Sequence, residues 1–151
     1  MTLISRLLAA TALLACAAAQ AQDAPLITRA ESDAEQKMLK QSILVPKSTS
    51  PGSPTIDVVE PDIKVEVAAP LMIKIRFATE GAATLVPGSL RVYYGAFGID
   101  ITERLMKKAR FEKDLLILDR ADIPAGKHRL LVKIKDSSDR GAEKLVTLMV
   151  R

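Results

Sequence analysis

One histidine, one cysteine and a scatter of carboxylates are the stock from which this chain would have to build catalytic or metal chemistry. His128 has the chemistry of a general base or a metal ligand. It stands in phase with Leu130 and Val132, however, just after the turn Pro124-Ala125-Gly126. That placement predicts a buried ring whose polar tip bonds nearby backbone. With a single histidine and Cys16 as the single cysteine, a zinc site of nitrogen and sulfur ligands, a Cys–His pair and a two-histidine copper site are all excluded from this chain alone. The carboxylates form loose groups: Asp57, Glu60 and Asp62; Asp119 and Asp122; Asp136 and Asp139. Calcium takes about six or more oxygens, and Arg120 and Arg140 directly follow Asp119 and Asp139. Turn-forming aspartates that bond their own backbone are the expectation. Gly88-Ser89 lacks the nucleophile-elbow pattern, and the seven glycines are scattered rather than gathered into a phosphate cradle. The chain is therefore expected to be no enzyme, with no cofactor and no metal.

The cations are more suggestive. Arg91 and Tyr93 alternate with apolar residues in one run, and Arg129, Lys133 and Lys135 do so in another. If the two runs are neighbouring strands, they form a basic face with one aromatic, suited to anionic glycans, lipid headgroups or an acidic protein patch. The plainer reading is a solvated sheet face whose Lys and Arg discourage edge pairing. Lys107, Lys108 and Arg110 make a second small cluster.

Alternation of period two supplies the elements that would position these groups. It runs through Ile63–Val67, Leu71–Phe77, Leu90–Tyr94, His128–Ile134 and Val146–Val150, each with one apolar and one wet face. Leu115–Leu118 is apolar on both sides, as a more fully buried strand would be. Pro87-Gly88 suits the centre of a type II turn, and residues 136–141 suit a polar hairpin loop. Thr102–Lys108 reads as a short internal helix with Thr102 as its cap. Six to eight short strands across residues 54–151 (all within one domain) predict an all-β antiparallel sandwich. Aromatics are 3% of the chain and Trp is absent, so its core is aliphatic.

Ile123–Val150 reads IPAGKHRLLVKIKDSSDRGAEKLVTLMV. It resembles the last two strands of bacterial immunoglobulin-like domains of the fibronectin III and cadherin-like type. Pro70–Phe77 and Gly88–Tyr94 fit earlier strands of such domains. The resemblance implies an immunoglobulin-like sandwich and is nearly silent on activity, because the fold hosts many functions.

Residues 1–21 have the layout of a secretory signal peptide: Arg6, an uncharged run over Leu7–Ala18, and small residues at Ala19 and Ala21 for cleavage. The run is shorter than the ~20 residues a membrane span takes. A competing reading makes Cys16 a lipidated first residue, since Leu13-Leu14-Ala15-Cys16 resembles a lipobox. Cleavage after Ala21 would leave no cysteine, so no disulfide would support the fold. The whole chain carries a net charge of +4, which falls to +3 once Arg6 is removed with the signal. Residues 22–53 read as a tail outside the core: a helix near Ser32–Leu44 with an apolar stripe at Ala34 and Met38, then the linker Lys47–Pro54.

The expectation is an exported, non-enzymatic binding or accessory module of the bacterial envelope. Its place would be the periplasm or outside the cell, or alternatively the outer membrane through a lipid anchor. Its partner would be an envelope protein or cell-surface component. No transmembrane helix is expected in the mature chain, and no nucleic acid, given the export signal and scarce stacking aromatics.

Overall fold

The computed structural model describes residues 24–40, 45–47 and 49–151. The signal segment, with Ala19, Ala21 and Cys16, lies outside the described residues, as do residues 41–44. In chain order the elements are α1 (Arg29–Met38), β1 (Thr55–Glu60), β2 (Glu66–Val67), β3 (Leu71–Ala78), β4 (Leu85–Tyr94), β5 (Ile99–Asp100), α2 (Thr102–Met106), β6 (Arg110–Glu112), β7 (Leu115–Ala121), β8 (Gly126–Asp136) and β9 (Gly141–Val150). The strands form two sheets, ordered β1-β3-β7-β6 and β2-β9-β8-β4-β5. The first order is that of strands A, B, E and D of an immunoglobulin domain, and β9, β8 and β4 stand where G, F and C stand. The chain is an all-β sandwich with immunoglobulin-like topology.

Alternation determines which side chains meet between the sheets. β3 buries Leu71, Ile73, Ile75 and Phe77 and exposes Met72 and Arg76 between them. Leu90, Val92 and Tyr94 of β4, Leu130, Val132 and Ile134 of β8, and Val146, Leu148 and Val150 of β9 face them in one core.

Several expectations change. Ile63–Val67 is a strand only at Glu66–Val67, and Ile63 and Val65 lie exposed in the loop before it. Pro87-Gly88 is no turn between strands but a bulge inside β4, and Gly88 does not take the positive φ a type II turn requires. α2 has no side-chain cap; the Thr102 hydroxyl instead accepts a bond from the Val92 amide at 2.8 Å.

The largest correction concerns the segment expected to be a tail. Leu26 and Ile27 are 1% and 0% exposed and belong to the core. α1 follows them and packs against β8. Thr28 and Glu31 form a capping box that starts the helix at Arg29 rather than near Ser32: Thr28 Oγ1 accepts from the Glu31 amide, and the Glu31 carboxylate accepts from the Thr28 amide. Ser32 and Glu35, which have the same i, i+3 spacing, are the buried residues of α1. The helix thus turns a polar face inward, while Ala34 and Met38 are only half-buried.

Candidate functional site

Arg91, Tyr93, Arg129, Lys133 and Lys135 were expected to share one face, and β4 and β8 do lie side by side with Arg91 opposite Lys133 and Tyr93 opposite Leu131. Four of the five reach solvent at least in part: Arg91 and Lys135 are exposed, and Tyr93 and Lys133 half-buried. Arg129 departs from the expectation. It is 8% exposed, and its Nε donates to Glu35 Oε1 of α1 at 2.5 Å while Nη2 donates to the Met38 carbonyl at 3.2 Å. Burying a guanidinium demands such partners, so Arg129 is part of the joint that holds α1 down.

The remaining cations line a groove that the β4 bulge creates. Val86 pairs with Lys135 and Arg91 with Lys133, so the four residues Pro87 to Leu90 stand against the single residue Ile134. The Ser89 hydroxyl seals the base of the bulge by accepting from the Lys135 amide at 2.8 Å. Across the groove, the Lys47 amide donates to Glu143 Oε2 at 3.0 Å. The resulting space is about 270 Å³ and is lined by Lys47, Ser89, Arg91, Lys133, Lys135 and Glu143. Among the described residues, Glu143 is the one acid of that lining. Burial opposes its ionisation, but the Lys47 amide and the Lys133 ammonium outweigh burial and hold the carboxyl below its ordinary range. Lys133 Nζ lies 3.0 Å from Glu143 and 5.5 Å from the centre of the Tyr93 ring. Lys135 meets the well-exposed Asp139 at 2.7 Å.

Like charges directly opposite each other on antiparallel strands are destabilising. Arg91 and Lys133 stand in that relation, with Glu143 on the far side of Lys133. Three of the groove's cations were legible in the sequence. Lys47, Ser89 and Glu143 were not: the bulge brings in Ser89, the returning N-terminal segment Lys47, and the register of β9 against β8 sets Glu143 opposite Lys133.

The other chemistry-bearing groups are engaged in holding the fold. His128 is fully buried; its Nε2 bonds the Pro124 carbonyl and its Nδ1 the Tyr94 hydroxyl, both at 2.8 Å. With Nε2–H donating to the carbonyl, Nδ1 accepts from the Tyr94 O–H. Burial pushes the imidazole below its ordinary pKa, against the Pro124 carbonyl and Glu35, which favour its charge. Asp136 accepts from the Ser138 and Arg140 amides, the turn role expected of it. Among the described residues, no group of three or more His, Cys, Asp and Glu side chains is placed to hold a metal. A larger open groove of about 650 Å³ lies beside the start of α1, but its lining mixes Arg29 with Asp33 and Asp122 and concentrates no single charge.

Fold and site together define an immunoglobulin-like sandwich with a basic groove on the outer face of its five-stranded sheet. No family model matches the chain. No curated protein matches it either. Among solved structures it is similar to the crystal structure of CopC from Methylosinus trichosporium OB3b, at 18% identity and a TM-score of 0.43, over 64% of this chain and 93% of that one. A likeness of that order lends nothing to the ligand or the activity.

Proposed function

We propose that the protein is a non-enzymatic binding or accessory module of the bacterial envelope, of the fibronectin- or cadherin-like kind, and that it holds an anionic partner in the groove of Arg91, Lys133 and Lys135. The observation that carries this reading is the in-register pair Arg91 and Lys133 facing each other where the β4 bulge ends. An arrangement that costs the empty fold something is one that an anion between the two side chains would relieve. The non-enzymatic part rests on where the reactive groups are engaged: both ring nitrogens of His128 are bonded, and Glu35 is paired with Arg129. Export rests on the leader. An intact mass beginning at Gln22, or at a lipidated Cys16, would support it in its soluble or anchored form, and a retained Met1 in an envelope fraction would count against cleavage.

Anion binding is tested by titrating the protein with a panel of anionic polymers in rising salt. Affinity should fall steeply with ionic strength and vanish in Lys133→Glu. Binding indifferent to salt, or unchanged in that variant, removes the groove as the site.

A further inference from the structure

The groove's walls restrict what kind of anion enters, an inference that rests on the anion-binding reading above. On one side stands the bulge of β4; on the other, the segment at Lys47 is tied to Glu143. Lys133 lies recessed between them, its side chain 34% exposed. A flat bilayer cannot follow the groove inward to reach it.

An added peptide strand meets a different obstacle. Strand addition uses free backbone groups along an edge. Along the bulge the carbonyls of alternate residues are already taken: Val86 by the Ser89 hydroxyl at 2.6 Å, Gly88 by Arg91 Nη1 at 3.1 Å and Leu90 by the same nitrogen at 2.6 Å. Among the described residues, Arg91 Nε and Nη2 make no such bond and remain donors. What the groove offers is therefore side-chain donors, the Arg91 fork and two ammonium groups, beside the Tyr93 ring. The ion pairs of those ammoniums are partly solvated, and pairs of that kind exchange readily for a ligand anion. The volume of about 270 Å³ falls just below the range of roughly 300–1,000 Å³ that encloses a drug-sized ligand. It suits a short stretch of a chain whose remainder runs out over the sheet.

We propose that the groove binds a carboxylated polysaccharide, with Arg91 and Lys133 holding one carboxylate between them and Lys135 meeting the next. The polymer's hydroxyl-rich backbone needs no strand edge, and its carboxylates match the planar Arg91 fork.

The test is calorimetric titration of the full-length mature protein with oligogalacturonate. Uncharged dextran, poly-L-glutamate, phosphatidylglycerol vesicles and inorganic phosphate are the comparison arms. Oligogalacturonate should bind, dextran should not, and Arg91→Ala and Lys133→Ala should each weaken binding about tenfold. The urea midpoints of both variants should stay near that of the parent, which separates lost binding from lost fold. Poly-L-glutamate or vesicles binding as tightly through the same two residues would overturn the polysaccharide assignment and leave the anion reading standing. Phosphate binding as tightly as the oligomer would replace the polymer with a single oxyanion. No binding in any arm would overturn both.

Discussion

Arg129 and Lys133 stand on the same strand, point to the same side of it, and differ in what lies above them. Over Arg129 runs α1, and the guanidinium is sealed against Glu35 and the end of the helix. Beside Lys133 the described part of the N-terminal segment places the Lys47 amide, which donates to Glu143 and leaves the lysine half-solvated. A desolvated cation must be paired and hydrogen-bonded, so Arg129 has become structural. A half-solvated one keeps its charge available, so Lys133 can serve a ligand. The strand's alternation treats the two alike. The difference is made by Glu35, 94 residues earlier in the chain than Arg129.

The sharpest way to break this comparison is to truncate both. Arg129→Ala strands the Glu35 carboxylate, 1% exposed, without its partner, and removal of one member of a buried pair costs about 3–5 kcal/mol. Lys133→Ala touches a partly solvated pair and should cost under about 1 kcal/mol. Urea denaturation measures both, and equal shifts would mean that α1 does not seal Arg129. Next in size is Leu26→Ala, which empties a fully buried site in the core at about 2–5 kcal/mol. A change within error there would return the N-terminal segment to the status of a free tail.

Gly95→Ala examines the same joint from the loop side. Gly95 has φ +67°, and a Cβ there would lie 2.9 Å from Glu35 Oε2. The same carboxylate oxygen accepts from the Ala96 amide at 2.7 Å. Strain and displacement together should cost about 2 kcal/mol. The cost should shrink in a Glu35→Ala background, because the neighbour that is crowded has gone. Full additivity of the two substitutions would show that the carboxylate is not what Gly95 accommodates.

The two ends of the β8 face also differ in how far the sequence foretold them. Alternation, a local pattern with a period that can be counted, puts Arg91 and Lys133 on the wet faces of their runs, and the immunoglobulin-like layout that the resemblance implies makes those runs neighbours. The immunoglobulin-like order of the sheets is what the resemblance of Ile123–Val150 implied, whereas alternation alone gave a sandwich. α1 was legible as a helix but not as part of the fold. Its apolar stripe at Ala34 and Met38 is weak, and the face it buries is Ser32 and Glu35, the latter with partners on β8 and in the loop after β4. A polar side chain becomes a core residue only when a distant group satisfies it, and no spacing within the helix reports that group. The bulge was misread because Pro87-Gly88 carries turn chemistry whether the chain reverses or merely steps out of register.

The smallest effect isolates the outer fastening of α1. Arg104 of α2 meets Glu31 with two bonds, Nη2 to Oε1 at 2.7 Å and Nη1 to Oε2 at 2.9 Å. The Arg104 guanidinium, helped by Thr28 and opposed by burial, lowers the Glu31 carboxyl to about 2 from its ordinary 4.5. A carboxyl with a depressed folded-state pKa stabilises the fold in full above its unfolded value. It gives that stability up as acid drives the pH down through the folded one. The contribution of Glu31 is thus complete above about pH 4.5 and is lost between there and about pH 2. Glu31→Gln should cost about 1.5 kcal/mol at pH 7. The deficit relative to the parent should close as the pH falls through that window, since the protonated parent then resembles the amide. Because Arg104 is partly solvated, salt should reduce the deficit at pH 7, whereas the Arg129→Ala deficit should resist salt. A deficit for Glu31→Gln that ignores both pH and salt would mean that the residue serves only as the helix cap, with Glu35 and Arg129 left to hold α1 on the sheet.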